Sequence, residues 1–119
     1  MTQAQIHPVP LTRPGGDPLG IHRVLEPRGV LPQAARRLDV SLPLFQNEML
    51  IEVHRLNIDS ASFAQLKKQA GGRRASVGKM IQKIVKQSGK MQNPVTGSGG
   101  MLAGEVFQVG PDFPGDFQV

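Results

Sequence analysis

The sequence predicts an α+β unit, mainly β, with two helices inserted between strands. Its 14 glycines and 10 prolines among 119 residues favour turns, short strands and loops over long helices. The run Met49-Leu50-Ile51-Glu52-Val53-His54-Arg55-Leu56 has the composition and alternation of a strand. Helical spacing of apolar residues is confined to the stretch between Asp59 and Gly89, which separates that strand from a second one after the glycines at 97–104.

Taken in order, residues 1–19 read as a flexible tail, with His7-Pro8-Val9-Pro10 and Arg13-Pro14-Gly15-Gly16-Asp17-Pro18, and residues 20–119 as the folded domain. Ile21 to Leu25 is a short β-prone run closed by the turn residues Glu26-Pro27-Arg28-Gly29. Leu38 to Leu44 is expected as loop or edge strand, because Pro43 has no N–H for a ladder. In the strand Glu48 to Asn57, alternation points Met49, Ile51, Val53 and Arg55 mostly to the core and Leu50, Glu52 and His54 to the polar side.

Asp59-Ser60 offers an N-cap to a first helix, in which Phe63, Leu66 and Ala70 share a face and Gly71 is the stop. A second helix is expected from Ser76 to Ser88. Its stripe is Val77, Met80 or Ile81, Ile84 and Val85; its wet side is Lys79, Lys83 and Lys86; Gly89 ends it. The glycine-dense segment from Lys90 follows, then a strand over 104–110 and a turn-rich end from Pro111 to Asp116.

Cysteine is absent, which excludes disulfides and thiolate metal sites. No apolar run approaches the roughly 18 residues of a membrane span, and residues 1–18 lack a signal-peptide core. The expectation is a cytoplasmic protein with no membrane partner. Formal net charge is +5, and it is local: Ser60 to Gly104 contains no acidic residue but holds Lys67, Lys68, Arg73, Arg74, Lys79, Lys83, Lys86 and Lys90. Such a field attracts polyanions and anionic metabolites. No aromatic is interleaved for base stacking, so the run reads first as the solvated face of two helices. A small basic module for nucleic acid or an acidic partner is the alternative.

The segment Asn93-Pro94-Val95-Thr96-Gly97-Ser98-Gly99-Gly100-Met101-Leu102-Ala103-Gly104-Glu105-Val106 looks superficially like a phosphate loop. A phosphate-binding loop opens a helix, whose N-terminal N–H groups and dipole hold the anion. This one enters a strand. Its glycines therefore bring backbone close to something without cradling phosphate themselves.

Two segments in this order, Val53 to Phe63 and Gly99 to Gly110, resemble the GroES-like N-terminal half of the medium-chain dehydrogenase/reductase superfamily. Gly20 to Gln33, Leu56 to Phe63 and Gly89 to Gly104 closely resemble one of its families, the 3,5-diaminohexanoate dehydrogenases of lysine fermentation. The likeness extends over about residues 20–110. It implies a partial GroES-like barrel and NAD- or NADP-dependent oxidation of a small diamino acid, giving 5-amino-3-oxohexanoate and ammonia. It also implies a homo-oligomer at full length and a Rossmann domain that these 119 residues do not include. The chain is then expected to be an N-terminal fragment, inactive alone, with a sheet edge open to association. Zinc-dependent members of the superfamily carry Cys where this chain has Asn57-Ile58-Asp59-Ser60, and Gly-His-Glu where it has Gly99-Gly100-Met101. No zinc ligand set is therefore expected, and His7, His22 and His54 show no metal spacing.

Site candidates combine that likeness, which places Asp59 at the cleft edge, with the chemistry of the residues around it. Asp59 and Ser60, where strand meets helix at the cleft edge, are the catalytic candidates; a carboxylate there suits a substrate ammonium. Asn93, Thr96 and Ser98 carry neutral polar tips for a polar substrate, and His22 is a possible proton carrier beside it. Ser62, Gly97 and Gly99 are the cofactor-contact candidates. Each has a plain structural reading as well: helix cap for Asp59, Ser60 and Ser62, loop hydrogen bonding for Asn93, Thr96 and Ser98, positive φ or close approach for the glycines, and a structural or exposed ring for His22.

Overall fold

The computed structural model describes residues 11–119. The first ten residues of the expected tail, His7 among them, lie outside that range. The elements are β1 (Thr12–Arg13), β2 (Val24–Glu26), β3 (Arg37–Leu38), β4 (Leu44–Phe45), β5 (Met49–Asn57), α1 (Ser60–Gln69), α2 (Arg74–Ser88) and β6 (Met101–Val109), with short 3-10 turns at Ile21–Arg23 and Pro32–Ala34. The strands form two-stranded sheets: β1 with β4 in parallel, β2 with β3 and β5 with β6 antiparallel. The fold is thus mixed α+β, with both helices between β5 and β6. Among the described residues no barrel closes.

Part of the stretch read as tail is tied down. Thr12 and Arg13 pair with Leu44 and Phe45. The Arg13 guanidinium donates to the carbonyls of Pro43 (2.8 Å) and Ser41 (2.7 Å) and lies 4.3 Å over the Phe45 ring. The β-prone run Ile21 to Leu25 divides. Gly20, at φ 79°, starts a 3-10 turn whose Arg23 N–H reaches the Gly20 carbonyl at 3.1 Å, so only Val24 onward is extended. Pro43 sits between β3 and β4, outside both ladders, as its missing N–H requires.

The expected facing of β5 fails beyond its first residues. Val53 is 51% exposed, and Arg55 is exposed as well. The register against β6 slips twice: Leu50 pairs Gln108 while Ile51 pairs Val106, and Val53 pairs Gly104 while Arg55 pairs Ala103. Phe107 and His54 are therefore the extra residues of two bulges, and each bulge resets which side chains share a face. No third layer covers the ribbon among the described residues, so Val53, Met101, Leu102 and Phe107 remain exposed. β6 also begins three residues before Gly104, because Met101 and Leu102 find partners in Asn57 and Leu56. Gly104 itself marks a close approach: a Cβ there would collide with the Glu52 carbonyl.

α1 matches its sequence signals. Asp59 caps it by accepting the Ser62 N–H at 2.8 Å, and Gly71, at φ 70°, follows its end. α2 starts two residues earlier than expected, at Arg74, and has no side-chain cap. Arg74 instead sets its guanidinium 5.8 Å from the Phe63 ring centre, bracing the two helices. Gly89 ends α2 at φ 74°, its N–H on the Val85 carbonyl at 2.8 Å. The core is small: Val24, Ala35, Leu44, Leu66 and Val77 are the buried apolar side chains. From the predicted stripe of α2, Val77 is fully enclosed whereas Val85 is 40% exposed.

Candidate functional site

The strand-to-helix corner and the glycine segment are folded onto each other. β5 delivers Asp59 to the N-terminus of α1, and the loop over 93–100 crosses that end. Asp59 uses one carboxylate oxygen for the Ser62 N–H and the other for the Ser98 hydroxyl. Ser62, fully buried, shares a 2.7 Å hydroxyl hydrogen bond with Thr96. The Ser98 N–H points back to the Thr96 hydroxyl at 3.3 Å. The Ser98 hydroxyl and then the Ser62 N–H hold the Asp59 carboxyl below the usual carboxylate range. The group is an anion at neutral pH, and its residue is exposed.

Asn93 is the internal scaffold of the loop. It is fully buried, its amide donates to the Gln65 side chain at 2.9 Å, and its side-chain oxygen accepts the N–H groups of Val95 (2.8 Å) and Thr96 (3.4 Å). Its backbone closes the loop through Ser98 O (2.8 Å) and Gly97 N (2.7 Å). Every polar atom of Asn93 is engaged within the chain. Gly97 and Gly100 take φ of 76° and 83°, and a Cβ on Gly100 would strike the Asn57 carbonyl. Gly99 is ordinary in φ but close in contact, since a Cβ would come within 2.9 Å of the Met91 carbonyl.

The structure therefore brings together Asp59, Ser62, Thr96 and Ser98, with Asn93 beneath them. Ser60 begins α1, exposed and with no side-chain hydrogen bond. Ser62 is enclosed with its hydroxyl on Thr96, so any ligand reaching it would have to displace that bond.

His22 belongs to a different cluster. Its Nδ1 accepts the Asp17 N–H at 2.8 Å, which leaves the proton on Nε2 to donate to Glu48 at 2.9 Å. Its ring stands edge-on to Phe45 at 4.5 Å. Glu48 also takes a two-pronged contact from Arg23, 2.8 and 2.7 Å, and the Phe45 N–H at 2.7 Å. Burial alone would push the Glu48 carboxyl up. The hydrogen bonds from Arg23, the Phe45 N–H and His22 outweigh it and lower the pKa to about 2. Nothing local in the sequence pairs Arg23 with Glu48, 25 residues apart, so spacing could not reveal this cluster.

A second feature missed in the sequence is the cavity beneath the loop. It measures about 360 Å³, and its lining includes Pro32, Gln33, Leu38, Lys90, Gly97 and Gly99. Gln92 ties its walls by donating to the carbonyls of Gln33 (3.1 Å) and Gly97 (3.0 Å). Lys90 was one of the basic run in the sequence; here it turns inward, its Nζ donating to the Pro32 carbonyl at 2.6 Å. Lys67, Lys68, Arg73, Arg74, Lys79, Lys83 and Lys86 stay exposed. Among the described residues no helix is long and apolar enough to cross a membrane, and no group of His, Asp or Glu is placed to hold a metal ion.

The corner and the glycine loop do not fit a dinucleotide's phosphates. The glycine loop enters β6 instead of a helix, and the N-terminus of α1 is already occupied by the Asp59 carboxylate, which repels anions.

Residues 22–119 match the family model described as L-erythro-3,5-diaminohexanoate dehydrogenase N-terminal domain. Proteins named L-erythro-3,5-diaminohexanoate dehydrogenase from Fusobacterium nucleatum and Acetoanaerobium sticklandii are 54% and 50% identical to it over 96 residues. That alignment covers 81% of this chain and 28% of each relative, so the chain spans a little over a quarter of their length. Glycine loop, capped corner and matched family describe one and the same segment, and the chain belongs to the L-erythro-3,5-diaminohexanoate dehydrogenase N-terminal domain family.

Proposed function

We propose that this chain is the N-terminal, substrate-side portion of an NAD- or NADP-dependent oxidoreductase. The reaction is oxidative deamination of 3,5-diaminohexanoate to 5-amino-3-oxohexanoate and ammonia. The observation that carries the proposal is the exposed Asp59 carboxylate held at the glycine loop by Ser98, in a segment half identical to proteins of that name. An anion fixed at this edge matches a substrate that carries ammonium groups. When bound, a nicotinamide cofactor would supply the hydride acceptor, and water would supply the ketone oxygen as ammonia leaves. The glycine loop, which enters a strand, would not cradle the cofactor's phosphates. A Rossmann domain in the remainder of a full-length protein would hold the cofactor, and a GroES-like barrel would be completed there too. Without that remainder the chain does not turn over.

Within this proposal Asp59 receives an ammonium and Ser60 lies beside it as the free hydroxyl. Thr96 and Ser98 present the loop, and Asn93 fixes its shape. Gly97 and Gly99 let a cofactor or substrate approach backbone closely. Ser62 acts behind them, by holding Thr96. His22 acts at a distance, through the Glu48 cluster. A cytoplasmic location, no zinc and a homo-oligomeric full-length enzyme complete the proposal.

The test joins residues 22–119 to the remaining portion of the Fusobacterium nucleatum relative and compares Asp59 with Asp59→Asn. Asparagine caps a helix about as well as aspartate, so the cap on α1 is kept while the charge is lost. The expected result is a fall in kcat/KM of about tenfold or more for the diamino acid. An unchanged kcat/KM would remove Asp59 from the substrate site.

The basic-module reading rests on the exposed lysines and arginines of α1 and α2. It requires nucleic-acid binding that weakens steeply with salt; absence of such binding disposes of it.

A further inference from the structure

We propose that Lys90 is a carboxylate receptor, and that the cavity under the glycine loop binds the acid end of a small amino acid. Lys90 is half-buried and uses one of its three N–H donors on the Pro32 carbonyl. No carboxylate of the described residues pairs with it. The cavity walls contain no acidic residue, nor do those of the adjoining space of about 470 Å³, where Arg36 and Lys90 both face the lining. A half-buried cation with donors left over and no anion beside it is placed to receive one. Burial lowers its pKa, as it would for any lysine held without a counter-ion. The volume lies in the range of small-molecule sites, about 300–1,000 Å³. Gln33 is part of the same wall, and Gly97, with open space where a Cβ would stand, lets a ligand lie against backbone.

The position suits a ligand with charges of both signs. Gly97 and Gly99 line the cavity, while Ser98 between them bonds to Asp59. One loop thus separates an anion from an unmatched cation. Assigning the carboxylate to 3,5-diaminohexanoate rests on the proposed function above; the receptor itself does not.

The experiment is an NMR titration of the full 119-residue chain, labelled on lysine side chains and backbone amides. The probes are hexanoate, 3,5-diaminohexanoate and 1,3-diaminobutane, which lacks a carboxylate. Both acids are expected to shift the Lys90 side chain and the Gly97 and Gly99 amides at millimolar concentrations, and the diamine is not. Lys90→Met should weaken this response about tenfold or more, the loss of a charge-assisted pair. Lys90→Arg should keep it. Lys90→Gln retains a donor for the Pro32 carbonyl and serves where the Met variant fails to fold. No response at the cavity, or equal shifts at Lys67 and Lys79, overturns the proposal. Binding of hexanoate as tight as that of the diamino acid supports the receptor while counting against the substrate assignment.

Discussion

Ser62, fully buried in the first turn of α1, shares a 2.7 Å hydroxyl hydrogen bond with Thr96 on the exposed glycine loop. The two ends of this bond differ in what they lose when it is cut. Ser62→Ala leaves the Thr96 hydroxyl free to bond water, and should cost about 0.5–1.5 kcal/mol. Thr96→Val leaves a buried hydroxyl without that partner and also takes the acceptor from the Ser98 N–H, and should cost about 1–3 kcal/mol. Urea denaturation of the two variants and the double variant checks this. The double variant should be no worse than Thr96→Val alone; strictly additive costs would mean the bond does not anchor the loop.

Glu48 makes the fold sensitive to acid. Its carboxyl drops from 4.5 to about 2 on folding, so the native state releases the proton more readily than the unfolded chain. The stability this adds is complete above pH 4.5 and is lost as pH falls towards 2. It amounts to up to about 3 kcal/mol. Denaturant unfolding measured from pH 6 down to about 2 should show this decline. Glu48→Gln should be less stable at neutral pH and flatter below pH 4.5, with a residual slope from Asp39 and Asp59, whose carboxyls are also lowered. A slope as steep as that of the unaltered chain would show that another group carries the acid response.

Gly97 and Gly100 separate backbone strain from collision. Both have positive φ, but a Cβ at Gly97 meets open space whereas one at Gly100 runs into the Asn57 carbonyl. Gly97→Ala should cost about 1 kcal/mol, the conformational term alone. Gly100→Ala should cost clearly more, because β6 enters its pairing with β5 at the next residue. Thermal unfolding of both variants gives the comparison, and equal shifts in Tm would refute the close approach at Gly100.

Local signals in the sequence located what depends on neighbours along the chain. Asp59 as cap, Gly71 and Gly89 as stops, and the glycine loop entering a strand follow from residue chemistry within a few positions. Features set by contacts between distant segments were not legible. Alternation in β5 assumed one unbroken register, and the bulges at His54 and Phe107 break it. Lys90 looked like its neighbours in a basic run until the Pro32 carbonyl, 58 residues away, turned it inward. His22 stands beside Arg23 and Glu26 in the sequence as a proton-carrier candidate, whereas Asp17, Phe45 and Glu48 hold it in a cluster apart from the loop. Asn93, Thr96 and Ser98 were identified as loop residues, but the Gln65, Ser62 and Asp59 side chains they bond could be found only in three dimensions.

The most direct measurement of the central claim is turnover by the joined protein, residues 22–119 in place of the matched segment of the Fusobacterium nucleatum relative. Ammonia release and nicotinamide reduction would be followed with 3,5-diaminohexanoate, beside the 119-residue chain alone. Turnover is expected of the joined protein and not of the chain alone. A joined protein that folds and binds the cofactor yet leaves the diamino acid unoxidised would contradict it.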